Sequence, residues 1–348
     1  MDIFVRLNAT SMINVAIVGF GYWGPNLVRN FSSISGVRVS KVVDLRPERL
    51  EVVKSNYPTT DVSTDIDSLW SDNSIDAVVI ATPVFTHFPI AKKALQAGKH
   101  VLLEKPMTDT VDHAKELIEL SLKVGKVLMV DHTFLYTPAV QKMKALIDSG
   151  DIGKVKYFDS TRINLGLIQQ DVNVLWDLAP HDISILDYLV DDVPHSVNAT
   201  GVSHIHNGVE NIAYLTVNYE SNILAHFNCS WSSPVKIRMM LVGGDKKMIV
   251  FNDMEPTEKI RLYDTNHSVS SDEEKRRVLV DYRVGDVFIP KLGNAEALGG
   301  MAKDFVSAIE NGTTPIASWK SGLSTIKILE ASQKSIKSGG AEVKIQND

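Results

Sequence analysis

The sequence predicts an α/β domain with a parallel sheet, followed by an α+β domain with a mostly antiparallel open sheet. Two observations carry this prediction. Up to about residue 148, short apolar runs alternate with helix-like segments, which is typical of a parallel sheet with right-handed crossovers. After Gly153, longer segments of alternating hydrophobicity follow one another through short polar turns, which favours antiparallel pairing. We therefore predict domains at residues 12–133 and 134–348, and we expect the C-terminal helices to be able to pack back on the first domain.

Hydrophobic periodicity places each element. In the first domain, strands are predicted at Ile13–Val18, Val37–Val43, Ala77–Ala81, Val101–Leu103 and Val127–Val130. The helices between and after them are predicted at Pro25–Ser35, Pro47–Ser55, Thr86–Ala97, Val111–Val124 and Pro138–Asp148. In the second domain, strands are predicted at Lys154–Asn164, Ser196–Ser203, Asn211–Tyr219, Ile223–Trp231, Ile237–Val242 and Lys247–Phe251. Its helices are predicted at Pro180–Leu189, Met301–Glu310 and Leu323–Ser338.

The composition indicates a globular chain without a membrane or nucleic-acid signature. Hydrophobic residues make up 44% of the chain and the net charge is -6, which argues against a nucleic-acid partner. No apolar run approaches the roughly 18 residues of a membrane span, and the N-terminus lacks a signal-peptide pattern, so we predict a cytoplasmic protein. The single cysteine, Cys229, excludes an intrachain disulfide. Residues 1–11 are interpreted as an extension, and Asp264–Arg277 as an exposed, mobile loop.

A glycine-rich turn follows the first predicted strand. Gly19, Gly21 and Gly24 form the pattern G-x-G-x-x-G, directly before a helix that opens with a proline. Gly19 permits the tight turn, Gly21 lets the backbone approach a pyrophosphate, and Gly24 allows close packing of helix against strand. The amides at the helix N-terminus then face the phosphates. This context favours a dinucleotide site over an ordinary turn, and the intervening Tyr22 and Trp23 are assigned to that site.

An acidic residue ends the second predicted strand, about twenty residues after the glycine turn. The carboxylate of Asp44 can accept hydrogen bonds from the adenosine ribose, and its charge repels a 2′-phosphate. The sequence therefore predicts NAD(H) rather than NADP(H) as the cofactor. Arg46 is close enough to weaken that preference. The structural alternative is a turn followed by a helix-capping aspartate.

Three further motifs follow in order along the chain. They are Ala81-Thr82-Pro83 with His87, Glu104-Lys105-Pro106, and the pair Asp177 and His181 within WDLAPHDISILDYL. Together with the glycine turn, they resemble the A-T-P-x-x-x-H, E-K-P and D-x-x-x-H motifs of the Gfo/Idh/MocA oxidoreductase family. The resemblance covers most of residues 13–340. It implies a six-stranded Rossmann domain and a C-terminal open sheet whose outer face often forms homodimers or homotetramers.

The resemblance also implies a class of reaction. Members of the family mostly oxidise or reduce one carbon of a sugar, a cyclitol or a sugar nucleotide. Segments around His132, Arg162 and Asp177 resemble members of nucleotide-sugar pathways, so a nucleotide-sugar dehydrogenase or ketoreductase is the first hypothesis. The alternatives are a free sugar or cyclitol dehydrogenase and, from another class, a non-catalytic NAD-binding regulatory protein. One departure bears on substrate binding, since Phe134 and Leu135 stand where many members carry arginine.

Oxidation of a secondary alcohol needs a hydride acceptor, which NAD supplies, and a base for the hydroxyl proton. His181 is the predicted base, because imidazole titrates near neutral pH. Lys105 follows a Rossmann strand at the carboxyl edge, where such sheets bind ligands, and its ammonium can stabilise a developing alkoxide. Asp177, expected at or near the start of a helix that includes Pro180, can orient Lys105 or His181. The structural alternatives are a surface lysine, a helix cap and a hydrogen-bonded structural histidine.

The remaining residues complete two predicted sites. The cofactor site also contains the residues of the first two motifs, namely Thr82, Pro83, His87, Glu104 and Lys105. The substrate site contains His132, Arg162 and Asn164 in addition to the catalytic Lys105, Asp177 and His181. Arg162 and Asn164 alternate on one strand face, so Arg162 can pair with a substrate phosphate or carboxylate, a solvated sheet edge being the alternative. A structural role is the alternative for His87 and His132.

No metal site is predicted. His204 and His206 stand two residues apart on a strand-like segment, but no carboxylate or cysteine follows at the spacing of a zinc site. The resemblance implies as partners a small-molecule sugar or nucleotide sugar and further copies of the same chain.

Overall fold

The computed structural model describes residues 12–166, 168–169, 172–204, 208–264 and 285–346. The predicted N-terminal extension, His206 and the predicted loop beyond Asp264 lie outside the described residues. The chain divides into two compact units. The first contains the residues up to Asp131 and also Leu298–Trp319, and the second contains His132–Ala297 and the chain from Lys320 onward. No described helix is both long enough and apolar enough to cross a bilayer.

A parallel sheet is the framework of the first unit, where the described strands have the order β3-β2-β1-β4-β5-β6. These strands are β1 Ile13–Val18, β2 Val37–Val43, β3 Asp61–Ser63, β4 Ala77–Ile80, β5 His100–Leu103 and β6 Leu128–Val130. Each neighbouring pair is parallel. The strand order reverses between β1 and β4, and open sheets of this kind bind ligands beyond the carboxyl ends of the strands at that point. The predicted Rossmann architecture is confirmed.

Helices connect and cover the strands of both units. In chain order the described α-helices are α1 Gly24–Ser32, α2 Pro47–Asn56, α3 His87–Gln96, α4 Val111–Val124, α5 Pro138–Asp148, α6 Val174–Leu189, α7 Ala297–Asn311 and α8 Trp319–Lys337. The C-terminal helices divide between the units. On α7, Phe305 packs edge-on against Phe31 of α1, with ring centroids 6.2 Å apart. On α8, Ser324 bonds to Asp187 of α6 at 2.9 Å.

A larger sheet is the framework of the second unit, where the described strands have the order β14-β13-β12-β11-β7-β10-β9-β8-β15. They are β7 Val155–Leu165, β8 Pro194–Val202, β9 Ile212–Tyr219, β10 Leu224–Ser230, β11 Ser232–Gly244, β12 Met248–Asn252, β13 Ile260–Tyr263, β14 Val287–Phe288 and β15 Val343–Lys344. The pair β7–β10 is parallel and the other described pairs are antiparallel. The predicted mostly antiparallel open sheet is confirmed.

Helix α6 begins earlier than predicted. It begins at Val174, where the Asn173 side chain accepts a hydrogen bond from the Trp176 amide and caps the helix. Pro180 therefore lies inside the helix, where its missing N–H removes one backbone bond. The predicted start at Pro180 is wrong, because the asparagine cap is a stronger start signal than the proline. As a result Asp177 and His181 lie in one continuous helix, one turn apart.

Candidate active site

The glycine turn of the first unit has two positions that only glycine fits. Gly19 has a φ of +97°, and a Cβ atom there would lie 2.3 Å from the carbonyl oxygen of Ala81. A Cβ atom at Gly24 would lie 2.7 Å from the Gly19 carbonyl oxygen. Both distances are far below van der Waals contact, so Gly19 allows the turn to pack against the end of β4 and Gly24 allows α1 to pack against the turn.

Gly21 differs from the other two glycines because it faces open space. The protein atom nearest to a Cβ placed there is Nη2 of Arg46, at 3.9 Å. Helix α1 begins beside it without a side-chain cap and without an acidic residue in its first turn. Unpaired amides and the positive end of the helix dipole suit a diphosphate. The turn therefore fits a dinucleotide, with the exposed rings of Tyr22 and Trp23 beside it.

Asp44 follows β2 and is bonded within the same turn. Its Oδ2 accepts a hydrogen bond from the Phe20 amide at 2.7 Å, and its Oδ1 accepts bonds from the amide and Nε of Arg46 at 2.9 and 3.0 Å. Burial by itself would raise the pKa of Asp44, but the bonds from Arg46 and Phe20 outweigh burial and lower the pKa below its ordinary value. Asp44 is therefore an anion at neutral pH, partly covered by a half-exposed guanidinium.

His87 does not face a ligand. It is 1% exposed, with Nε2 lying 2.8 Å from the carbonyl oxygen of Thr82 and Nδ1 lying 3.0 Å from that of Pro106. Burial is the largest influence on His87 and lowers its pKa. The prediction that His87 binds the cofactor is wrong, because both ring nitrogens face backbone carbonyls. The imidazole instead links the loop of Thr82 and Pro83 to the loop of Lys105.

Glu104, which precedes Lys105, has a second carboxyl group beside it at the carboxyl edge of the sheet. Leu103 pairs with Val130, so the next residues along the two strands, Glu104 and Asp131, are neighbours across the parallel pair. Glu104 Oε2 accepts a hydrogen bond from the Lys105 amide at 3.1 Å. Burial, followed by repulsion from Asp131, raises the pKa of Glu104 to about 8. Glu104 therefore holds a proton at neutral pH.

This proton predicts a pH dependence of stability. The pKa of Glu104 is raised from 4.5 to about 8 on folding, so the unfolded chain loses a proton that the folded protein keeps. The favourable contribution of Glu104 to stability is complete below its unfolded pKa and is lost as the pH rises through about 8. Between pH 5.5 and 8.5, wild-type protein is expected to lose on the order of 1–3 kcal/mol more unfolding free energy than Glu104→Gln, which cannot titrate.

Urea unfolding at the two pH values measures this difference, with the exposed Glu119→Gln as the control. An equal loss of unfolding free energy in wild type and Glu104→Gln would contradict the protonated state of Glu104.

In the second unit, Asp177 and Asn164 lie close to the same indole. Trp231 Nε1 donates to Asp177 Oδ2 at 3.0 Å. A Cβ placed on Gly166 would lie 3.2 Å from Trp231 Cδ1 and 3.1 Å from Asn164 Nδ2. Gly166 therefore lies between the side chains of Trp231 and Asn164. The hydrogen bond from Trp231 therefore orients the Asp177 carboxylate. The cap of the helix is Asn173, not Asp177.

Arg162 lies inside the second unit and is 4% exposed. Its Nε donates to the two carboxylate oxygens of Asp182 at 2.9 and 3.0 Å, and Ser160 Oγ donates to Asp182 Oδ2 at 2.7 Å. Strand β7 lies between β10 and β11, so Arg162 is not at a sheet edge. Both the predicted substrate contact and the solvated alternative are wrong, because the guanidinium is bound to an internal carboxylate.

His181 is half-buried on α6, beside an aromatic ring. The ring centroid of Phe134 lies 4.9 Å from that of His181, and the two planes are inclined at 60°. Phe134 belongs to a short 3-10 helix, Thr133–Tyr136, that follows His132. His132 is 1% exposed, so the structure does not present its side chain as the predicted substrate contact.

The predicted site residues thus form one cluster in each unit. The glycine turn, Asp44, Arg46, Thr82, Glu104 and Lys105 lie at the carboxyl edge of the first sheet. Asn164, Asp177 and His181 lie along β7 and α6 in the second unit. Asp131, Asp182 and Trp231 were not among the predicted site residues, and Phe134 entered only as a departure from the family's pattern. Asp182 carried a usable signal, since a charge inside an apolar helical segment usually has a buried partner.

The first unit is a Rossmann sheet with an open glycine turn, and the second unit bears an Asp–His pair on one helix. Residues 13–132 match the NAD-binding Rossmann-fold domain of the GFO/IDH/MocA oxidoreductase family, and residues 140–250 match its C-terminal domain. The chain belongs to this family. Among the described residues, no group of three or more His, Cys, Asp and Glu side chains is arranged to hold a metal ion.

Two relatives and one solved structure indicate the range of the similarity. A 2,7-anhydro-N-acetylneuraminate hydratase from Mediterraneibacter gnavus is 30% identical over 56% of this chain and 54% of its own length. An inositol 2-dehydrogenase from Rhizobium meliloti is 24% identical over 93% of this chain and 97% of its own. The UDP-N-acetylglucosamine 3-dehydrogenase GnnA from Acidithiobacillus ferrooxidans has a similar fold, with a TM-score of 0.79, 22% identity and coverage of 94% and 98%. Matches to relatives at 30% identity or more span only about half of those proteins' lengths.

Proposed function

We propose that this protein transfers a hydride between NAD(H) and a ring carbon of a sugar, and that the sugar carries a nucleotide. The observation that carries the proposal is the pair Asp177 and His181, one turn apart on α6, with Asp177 bonded to Trp231. A half-buried imidazole beside an oriented carboxylate suits general acid–base chemistry. The fold positions the second reactive group, Lys105, after a Rossmann strand.

The proposed roles follow from the chemistry of each side chain. NAD, when bound at the glycine turn, supplies the hydride acceptor or donor. His181 takes the proton of the sugar hydroxyl during oxidation and returns it during reduction. The Lys105 ammonium stabilises the negative charge that develops on the sugar oxygen, while the protonated Glu104 beside it adds no opposing charge. Asp177 orients its neighbours through its bond to Trp231.

A cavity in the second unit supports the nucleotide part of the proposal. It has a volume of about 610 Å³ and is lined by Thr137, Asp253, Lys259 and Lys291, among others. Thr137 donates to the backbone carbonyl oxygen of Phe134 at 2.7 Å, so one lining residue of the cavity is bonded to the residue whose ring contacts His181. Lys259 bonds to Asp253 at 2.9 Å and neutralises it, and Lys291 leaves the lining with a net positive charge. Positive lining favours a substrate with a diphosphate.

The proposal is tested by following NADH formation with UDP-sugars, free aldoses and inositols. We expect turnover of a UDP-sugar, and we expect Lys291→Ala to raise its KM without changing the KM of NAD. Turnover of inositol or a free aldose alone would favour the cyclitol or sugar dehydrogenase alternative. Addition of water to a sugar without net NADH would favour chemistry like that named for the hydratase relative. Binding of NADH without turnover of any member of the panel would favour the regulatory alternative.

Arg46 is proposed to set how strictly NADH is preferred over NADPH. Its guanidinium covers the Asp44 carboxylate and partly neutralises it. Arg46→Ala exposes that charge to a 2′-phosphate, so NADPH affinity is expected to fall roughly two- to fivefold relative to NADH affinity. Fluorescence titration of both cofactors measures the ratio, and Arg49→Ala on the same helix is the charge-matched control. If the ratio of NADPH affinity to NADH affinity rises in Arg46→Ala, Asp44 is not the group that discriminates between the two cofactors.

The second sheet is proposed to join copies of the chain into a dimer or tetramer. Its strands β9 and β10 alternate buried residues with an outer row that includes the half-exposed Tyr214, Leu224 and His226. This row is mixed in polarity, so the surface resembles an interface more than a core. Sedimentation at micromolar concentration is expected to show a dimer or tetramer that Tyr214→Arg with Leu224→Glu dissociates. A monomeric wild type would end this proposal.

A further inference from the structure

The Arg162 guanidinium and the His181 imidazole both lie against the ring of Phe134 in the second unit. The guanidinium carbon of Arg162 lies 4.7 Å from the centroid of the Phe134 ring, and the His181 ring lies 4.9 Å from the same centroid. The phenyl ring therefore contacts a buried cation and the imidazole at the same time. Arg162 lies on β7, His181 lies on α6, and Phe134 comes from the short helix Thr133–Tyr136, so three separate elements meet at the Phe134 ring.

The same arginine also holds the backbone that carries His181. Its bidentate pair with Asp182 fixes the residue immediately after His181, and Ser160 occupies one of the same carboxylate oxygens. Removing two charges from water is costly, so an ion pair at this depth is weak evidence for stability. The guanidinium of Arg162 thus binds Asp182 while its carbon lies over the Phe134 ring, and lysine lacks the planar fork that allows both contacts.

We propose that Phe134 is a positioning residue for His181, held against the imidazole by the Arg162 guanidinium. This inference rests on the proposed function, because it assumes that His181 transfers the proton. Proton transfer needs the imidazole within hydrogen-bond reach of the hydroxyl in a defined orientation. The Phe134 ring occupies the space on one side of the imidazole and so limits the rotamers that His181 can adopt. Phe134 therefore acts on turnover through His181, without touching the reacting atoms.

The proposal predicts that Phe134 affects the chemical step and does not affect cofactor binding. Loss of the ring frees the imidazole, and misplacement of a catalytic group by about 1 Å can cost about 100-fold in rate. Phe134→Leu is expected to lower kcat about 10- to 100-fold while the KM of NAD stays unchanged. Phe134→Tyr keeps the ring and is expected to restore kcat to nearly the wild-type value. Phe288→Leu, at an exposed phenylalanine of the same unit, is the control.

A second readout does not depend on activity. In histidine-labelled protein, the His181 ring resonance is assigned by its absence in His181→Asn. The adjacent phenyl ring displaces this resonance, so it is expected to move in Phe134→Leu and to stay displaced in Phe134→Tyr. Arg162→Lys keeps a charge for Asp182 but offers no flat face, so both the resonance and kcat are expected to change in part.

The two readouts distinguish failure of the Phe134 proposal from failure of the proposed function. A Phe134→Leu protein with wild-type kcat or an unmoved His181 resonance would overturn the proposal, and so would a Phe134→Tyr protein as impaired as Phe134→Leu. Unchanged kcat and resonance in Arg162→Lys would overturn the part assigned to the guanidinium. A wild-type protein that is inactive on every sugar would count against the proposed function alone, since the resonance still tests whether Phe134 orients His181.

Discussion

Replacing His181 by Asn is expected to lower kcat by about 10²–10⁴-fold while NADH still binds, because a general base contributes that much to proton transfer. Asparagine retains hydrogen-bonding capacity but cannot exchange a proton near neutral pH. Replacing Lys105 by Met is expected to cost a similar factor, because it removes the cation that stabilises the sugar oxygen. If the two side chains serve one proton-transfer event, the fold-loss of kcat in the double variant is expected to be much smaller than the product of the two single losses.

Steady-state kinetics on the two single variants and the double variant measures these losses, and circular dichroism checks that each variant is folded. His195→Asn and Lys93→Met are matched controls, since both side chains are exposed and paired with surface carboxylates. Near-wild-type turnover of a folded His181→Asn protein would remove His181 as the base. Fully multiplicative losses in the double variant would show that Lys105 and His181 act independently.

Adding one methyl group at Gly19 or at Gly21 is expected to have different effects. The first substitution destabilises the protein, and the second weakens NADH binding. At Gly19 a methyl group meets the Ala81 carbonyl at 2.3 Å, and the backbone lies in the left-handed region, so Gly19→Ala is expected to destabilise the protein by about 2 kcal/mol or more. At Gly21 the methyl group enters open space and the backbone lies outside that region. Gly21→Ala is therefore expected to fold normally and to lose about tenfold or more in NADH affinity, because the methyl group takes the place of the diphosphate.

Thermal unfolding without cofactor reports the first effect, and NADH fluorescence titration of the folded protein reports the second. Gly98→Ala provides a useful comparison for Gly19→Ala, because Gly98 also has a positive φ but no atom lies within 4 Å of its Cβ position. Wild-type NADH affinity in Gly21→Ala would mean that the cofactor does not approach the turn at this point. Normal stability in Gly19→Ala would contradict the close packing of the turn against Ala81, directly after β4.

The first domain was predictable because its signals are local. The glycine pattern, the apolar strand before it and the proline after it lie within a dozen residues, and the buried parallel strands appear as short apolar runs. Helices Val111–Val124 and Pro138–Asp148 were predicted with their observed bounds. β3 gave no such signal, since Asp61 and Ser63 make up most of its three residues at the sheet edge. Three other short strands were missed because they have only two to four residues, namely the edge strands β14 and β15 and the strand β13 beside β14.

The roles of His87 and Arg162 depended on distant partners. His87 faces the carbonyl of Pro106, nineteen residues away, and Arg162 meets Asp182 twenty residues away. A motif identifies such residues but does not say whether they face a ligand or another part of the protein. Trp231 lies 54 positions from Asp177, and its indole bond depends on how β10 and β11 pair with β7. These contacts follow from strand register, which the hydrophobic pattern alone does not fix.

Isotope transfer tests the central proposal most directly. The keto form of the sugar or nucleotide sugar with the highest turnover is reduced with NADH that carries deuterium at the transferable C4 position, and the product is analysed by mass spectrometry. Direct hydride transfer predicts a product that contains one deuterium on a ring carbon, with none lost to water, and greatly slowed formation of the same product in His181→Asn. A product formed without deuterium on any ring carbon would contradict the proposal.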